Sequence, residues 1–263
     1  MTVTCSFATQ GASAHTTITP TPHWIEQLCG WVRRPPGDVG PLVWPVVLMP
    51  QRIASTAAFP DDARTVYERV RWTTILPAGP LDLQARAAWV ASGPEGSEIG
   101  VASSASSTGT PVAEGEVVVR TKQALGTWGV PGTPAAPSAI GTKRRLSFAL
   151  SEHDVAAFAE LSGVHEPIHE DAAHAWRLGL ANALVQEVTL LLIVMHVAAS
   201  RAPGSVEMWF PGVVPVGSLL TLWEGAGTWD VRLAGARQPV AVARLTDNIG
   251  QMTDANEPRE RDA

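Results

Sequence analysis

Leu161-Ser162-Gly163-Val164-His165-Glu166-Pro167-Ile168-His169-Glu170-Asp171 opens a stretch that continues through Gly179-Leu180 and Gln186-Glu187 into the apolar segment Val188–Ala199. Its first half holds three of the chain's seven histidines, together with a cluster of acids, immediately before the longest apolar run in the protein. From Leu184 to Ala199 only Gln186, Glu187, Thr189 and His196 are polar. A helix built from these residues is apolar almost all round and belongs inside a core. With polar groups in its first turn it is too short and too interrupted for a membrane span, which needs ~20 apolar residues. The stretch therefore reads as a buried central helix whose polar N-terminal turn faces the site. Free amides at that terminus, and its partial positive charge, suit an oxygen that gains negative charge during reaction.

The rest of the chain bounds the function. At 263 residues and 45% apolar content it can bury a large core, as one large or two medium bodies. The formal charge is −6, and Lys143-Arg144-Arg145 is the one short basic cluster that stands out. That argues against a nucleic-acid partner and reads the cluster as a solvated strand or linker end. Cys5 and Cys29 have neither metal-like spacing nor the number a disulfide framework needs. No basic segment followed by an apolar core marks the N-terminus, so a cytoplasmic location is expected. His165 and His169 sit in a Pro-interrupted turn rather than on one helix face, so no metal is expected. No phosphate-cradling loop and no Gly-x-Ser-x-Gly elbow is present, so no nucleotide cofactor and no serine-hydrolase chemistry is expected.

In chain order, Met1–Thr19 is rich in Thr and Ser without helical period, and Val3–Phe7 is at most a short strand. Trp24, Ile25, Leu28, Cys29 and Trp31 recur at helical spacing until Arg33-Arg34-Pro35-Pro36-Gly37. Pro41–Ser55 is a second apolar run, a buried helix made imperfect by Pro45 and Pro50. Strands are expected over Thr65–Ile75, Leu81–Val90, Ile99–Ser104 and Val112–Thr121. Ala124–Gly141 is packed with Gly, Pro, Ala, Ser and Thr and reads as a linker. Lys143–Leu150 alternates like a strand, and Ser151 with Asp154 marks the start of a helix to Leu161. Further strands are expected over Val206–Phe210, Ser218–Gly225, Thr228–Leu233 and Val240–Asp247. The tail from Gly250 is polar, and disorder is expected there.

The two halves overlay. Leu76-Pro77-Ala78-Gly79-Pro80-Leu81 matches Val214-Pro215-Val216-Gly217-Ser218-Leu219 at an offset of 138 residues, and the same offset lays Val43–Ser55 on Ala181–Ile193. Pro111-Val112-Ala113 then matches Pro239-Val240-Ala241 at 128, which a shorter hairpin in the second half explains. One such match is weak, but a helix and a turn sharing an offset indicate an internal duplication.

The opening stretch resembles the signature of the MaoC-like family of (R)-specific enoyl hydratases and 3-hydroxyacyl-thioester dehydratases. That pattern is Ser-Gly-Asp-x-Asn-Pro-Ile-His-x-Asp, then Gly-Phe, then Ala-His-Gly at the start of a helix. Here Pro167-Ile168-His169-x-Asp171 and Gly179 are present. The family's catalytic Asp falls on Val164, its Asn on Glu166, its helix-start His on Gln186 and the following Gly on Glu187. The resemblance implies an α+β double hotdog: two fused repeats, each an antiparallel sheet wrapped around a central helix. Residues 1–123 are then a degenerate first repeat, 124–141 a linker, 142–249 the MaoC-like repeat and 250–263 a tail.

It also implies a pocket between the repeats. His169 is the surviving member of the catalytic pair, and Glu187 or Glu166 supplies the missing acid. Gln186, Val164, Asn182 and Pro167 are expected against the substrate. Three functions stay open. One is a dehydratase or hydratase on acyl-carrier-protein or coenzyme-A thioesters in fatty-acid, polyketide or related secondary metabolism. The second is an incomplete subunit that binds the acyl chain and pairs with an active hotdog partner. The third is a hotdog enzyme redirected to isomerisation, cyclisation or thioester hydrolysis. Acid–base chemistry of this kind implies no cofactor; the partners implied are the thioester, with a homodimer or hotdog partner subunit, and no nucleic acid or membrane.

Overall fold

The computed structural model describes residues 13–32, 43–48, 62–73, 79–138, 141–198 and 204–247. In chain order the elements are β1 (Ser13–Ile18), α1 (Pro22–Val32), the helical segment α2 (43–48), β2 (Arg64–Trp72), β3 (Leu81–Gly93), β4 (Gly96–Ser107) and β5 (Thr110–Thr121). There follow β6 (Lys143–Ala149), α3 (Glu152–Ser162), α4 (Pro167–Glu170), α5 (Ala172–Arg177), α6 (Glu187–Ala198), β7 (Gly204–Trp209), β8 (Leu219–Glu224), β9 (Thr228–Leu233) and β10 (Ala241–Asp247). No described helix is long and apolar enough to cross a membrane.

The ten described strands form one antiparallel sheet in the order β1-β3-β4-β5-β2-β7-β10-β9-β8-β6. The order is a palindrome about the β2–β7 seam, where Tyr67 pairs with Trp209 and Val70 with Val206. Each strand of the first half thus has a counterpart in the second. Along β2 and β7 side chains alternate between two packed faces. Val70, Trp72, Val206 and Met208 join the main core, whereas Tyr67 and Trp209 stack on the opposite face with ring centroids 5.4 Å apart. The main core gathers Leu28 of α1, Val43, Trp44 and Leu48 of α2, and Leu191, Leu192 and Val194 of α6 against those strands. Its low polarity explains α6: a helix lacking a polar stripe is stable where every side is packed.

The duplication holds in two registers. β3 and β8 begin at Leu81 and Leu219, at the 138-residue offset read from the turns. α1 and α3 coincide over their whole length at an offset of 130. Even their caps correspond, since Thr21 Oγ1 accepts from the Trp24 amide at 3.1 Å and Ser151 Oγ from the Asp154 amide at 3.2 Å. The buried helices, however, do not share the 138 offset. It lays helical residues 43–48 on 181–186, which precede α6 and run extended to meet the turn at Pro215.

Other expectations change as well. A strand, β1, occupies Ser13–Ile18 and pairs with β3 from Ser13↔Arg86 to Ile18↔Leu81, where only an aperiodic stretch was read. Val3–Phe7, the remainder of the Pro41–Ser55 run and the tail from Gly250 lie outside the described residues. The segment read as a linker is tied to the sheet along its course. Trp128 exchanges two backbone hydrogen bonds of 2.9 Å with Val90, and Pro134 O accepts the Trp209 indole N–H at 2.9 Å. The Gly141 amide donates to Asp230, a carboxylate only 1% exposed that also holds Arg232 at 2.6 Å. At the far end β6 closes the sheet beside β8, with Lys143, Arg144 and Arg145 all exposed.

Candidate active site

The site is assembled from two loops that the sequence places on either side of α4 and α5. α3 starts with a reciprocal cap between Ser151 and Asp154 and ends at Gly163, whose φ of 66° is the left-handed conformation glycine adopts without strain. Proline at the first position of α4 suits a helix start, because its missing N–H would have no partner there. The residue before it, Glu166, is held extended, as proline requires of its predecessor. A four-residue helix has too few internal bonds to persist alone. It is held instead by the second loop: Ile168 O accepts from the Leu184 amide at 2.9 Å, and His169 Nδ1 lies 3.0 Å from Leu184 O. That second loop is in turn laced to residues 214–216, with Val185 N to Val214 O and Val216 N to Ala183 O both at 2.8 Å.

These contacts settle the tautomer of His169. A carbonyl oxygen only accepts, so Nδ1 carries the proton toward Leu184 and Nε2 is left as the working nitrogen. Nε2 lies 3.2 Å from Glu166 Oε2, while His169 itself is 7% exposed. Burial alone would push the imidazole pKa down; the hydrogen bond it can donate to Glu166, the charges of Glu187 and Glu166 and the Leu184 carbonyl outweigh it, and the net shift is upward. Glu187 is the first residue of α6, where a helix favours a negative charge. Desolvation nevertheless raises its pKa against the opposing pull of His169, its own backbone amide and Arg64. Two groups that share an environment and are both displaced upward can hold a single proton between them.

The expected site residues fare differently. His169, Glu166 and Glu187 are brought together. Val164 is buried, and its carbonyl receives Gln186 Nε2 at 3.4 Å. Gln186 is buried beside Glu187, and its Oε1 has no hydrogen-bond partner. Asn182 was expected against substrate, yet both ends of its amide are used within the protein, on Val216 O at 3.3 Å and on the Ala183 N–H at 2.9 Å. Its part is to lock the second loop. Pro167 is exposed and serves to start α4. His165 pairs with Glu170 at 3.0 Å on the surface. Among the described residues no group of three His, Cys, Asp or Glu side chains is placed to hold a metal ion.

Two participants were missed. Leu184 acts through its backbone, so no side-chain pattern marks it. Arg64, which opens β2 in the first half, bears on the site only through the pull of its charge on Glu187. Glu187 thus feels charge from both halves of the chain.

No protein-family model matches the chain, and no curated protein matches it by sequence. Solved structures do. HtdX of Mycobacterium tuberculosis superposes with a TM-score of 0.72 at 15% identity, covering 88% of this chain and 99% of that one. A MaoC-like dehydratase from Phytophthora capsici gives 0.70 at 14% identity over 91% of this chain and 96% of that one. A conserved hypothetical protein of Mycobacterium tuberculosis described as having a double hotdog fold gives 0.60 at 14% identity, covering 90% and 95%. The chain has the double hotdog fold, and shares it with MaoC-like dehydratases.

Proposed function

We propose that this chain is a MaoC-like enzyme that adds water to, or removes it from, acyl thioesters carried on coenzyme A or an acyl-carrier protein. The observation that carries the reading is His169 fixed by Leu184 O with Nε2 turned to Glu166, next to a Glu187 whose environment favours its protonated form. Removing water from a 3-hydroxyacyl thioester needs a base for the proton next to the carbonyl, an acid for the departing hydroxyl, and donors for the thioester oxygen. His169 Nε2 takes the first proton, and Glu166 stabilises the imidazolium so formed. Amides at the N-terminus of α6 hold the oxygen as it gains enolate charge. Glu187 passes its proton to the hydroxyl, which leaves as water, and a proton returned from His169 to Glu187 resets the pair. Hydration runs the same steps in reverse.

The test is to incubate the purified protein with 3-hydroxyacyl and enoyl thioesters and follow gain or loss of one water by mass. Turnover that falls ~10²–10⁴-fold in His169→Ala is expected; absence of turnover with every chain length and both carriers would refute the reading.

A second reading rests on Val164. Where the family signature has its acid, this chain has a buried apolar side chain that neither donates nor accepts a proton. On that reading the protein binds the acyl chain and a hotdog partner supplies catalysis. Val164→Asp separates the two: activity created by this change, together with indifference to Glu187→Gln, favours the incomplete subunit.

A further inference from the structure

His169 is placed too deeply to trade protons freely with water, yet the nitrogen it works with faces a group that can. The imidazole is 7% exposed, whereas the side chain of Glu166, whose Oε2 lies 3.2 Å from Nε2, is 42% exposed. The pairing is built into the backbone. Glu166 is held extended ahead of Pro167, and its carbonyl accepts from the His169 amide at 2.9 Å, so carboxylate and ring sit on one tight turn.

This contact fixes a proton count. Nδ1 donates to Leu184 O at 3.0 Å, which leaves Nε2 of a neutral ring as a lone pair facing a carboxylate. Two acceptors do not rest 3.2 Å apart without a hydrogen between them. One proton therefore belongs to the line from Nε2 to Oε2 in the resting site. His169 serves as a base only once that proton has moved to the carboxylate, and as an acid only once it has moved back. The other acids of the same stretch are engaged elsewhere: Glu170 pairs with His165 at 3.0 Å, and Asp171 caps α5 by accepting the Ala173 amide at 2.8 Å. Glu166 makes no second side-chain hydrogen bond or ion pair among the described residues, so its carboxyl is free to turn from the ring to water.

We propose that Glu166 is the proton relay of the site, carrying the Nε2 proton of His169 to bulk water and back in each cycle. The relay takes its substrate from the thioester reading above, and its path from the geometry of the turn. The transfers balance. The substrate's C–H bond breaks, its hydrogen goes to Nε2 as a proton and the electron pair stays on the enolate. Nε2 then gives its proton to Oε2, and Glu166 gives it to a water molecule, which restores the carboxylate. A proton entering by the same route replaces it before His169 resets Glu187.

The path is tested first without substrate, by nuclear magnetic resonance of the full chain isotopically labelled in its histidine nitrogens, at a pH where His169 is protonated. The Nε2 hydrogen is expected to exchange with water at a rate independent of buffer concentration. Glu166→Gln should slow that exchange ~10²-fold and make it rise with added imidazole or acetate, a rescue that a merely structural loss would not show. Glu166→Asp, which keeps a carboxylate, should retain part of the rate. In turnover of 3-hydroxyacyl and enoyl thioesters, kcat of Glu166→Gln should fall and recover with the same small bases while KM changes little. Three results would overturn the proposal: buffer-dependent exchange in the unaltered chain, which needs no variant; exchange that Glu166→Gln leaves unchanged; or exchange slowed by Glu187→Gln instead. If no thioester is turned over, the thioester reading falls, and the exchange rate still decides the relay.

Discussion

At the scale of the residue, His169 and Glu187 make pH the most informative variable. The reactive state carries one proton on the pair, so activity should fall when both are protonated and when neither is. Both groups are displaced upward, from 4.5 for the carboxyl and 6.5 for the imidazole. A plot of kcat/KM against pH should therefore be bell-shaped with both limbs shifted alkaline, and the limbs belong to the pair rather than to either residue. Glu187→Gln should remove one limb and lower the rate ~10²–10⁴-fold. Stability follows the same sign. A raised folded-state pKa of His169 contributes stability that is full below 6.5 and disappears as pH rises through the raised value. A raised Glu187 pKa acts in the same direction, since above 4.5 the unfolded chain ionises more readily than the folded one. Thermal unfolding should shift to lower temperature as pH is raised from about 6.5, and His169→Gln should flatten that slope.

At the scale of the element, caps and alternation were legible and tertiary ties were not. The capping pair Ser151 and Asp154 announced α3 correctly, and Ser151→Ala should cost about 1 kcal/mol, measured by denaturant unfolding. Strands β2 to β5 and β7 to β10 alternate against a core face, so their period survives in the residues. β1 does not, because at the sheet's rim only Thr16 and Ile18 among its described side chains are half-buried, an alternation too short to stand out in a Thr- and Ser-rich run. α4 and α5 are invisible for another reason: they are too short to nucleate alone, and α4 is held by Leu184 from across a loop while α5 is held by its Asp171 cap and by Trp176 donating to Ala181 O. Of the site, His169 and its acidic neighbours could be read from the motif, whereas the charge of Arg64 acts on Glu187 from a distant part of the chain that no local pattern marks. The α1–α3 correspondence left a trace that was overlooked. Thr21 and Ser151 each precede a residue and then a histidine, and Ile25, Leu28 and Cys29 match Val155, Phe158 and Ala159.

At the scale of the whole molecule, the palindromic sheet makes the two halves interdependent. Neither half has a covered edge at the seam without the other. Residues 1–138 and 141–263 expressed as separate chains should each be largely unfolded and should assemble on mixing, as followed by size-exclusion chromatography and circular dichroism. The segment between them contributes more than connection. Arg232 and the Gly141 amide converge on buried Asp230, and Arg232→Ala should cost ~3–5 kcal/mol by leaving that carboxylate unpaired. The same replacement should free the segment from the sheet and raise proteolysis around Ser138.

A sheet that does not close on itself has two rims, and each rim is a row of unsatisfied amides and carbonyls able to template another copy. At one rim lies β6, whose three consecutive cations, exposed beside β8, would force like charges together if two such strands met. This cluster, of which Arg145 already pairs with Glu224 at 3.0 Å, would thus act against polymerisation at that rim. At the other rim of the described sheet β1, with Thr16, Thr17 and one histidine, has no such cations of its own. Aggregation under stress should therefore begin at the N-terminal rim, and a lysine replacing Thr17 should suppress it as read by light scattering.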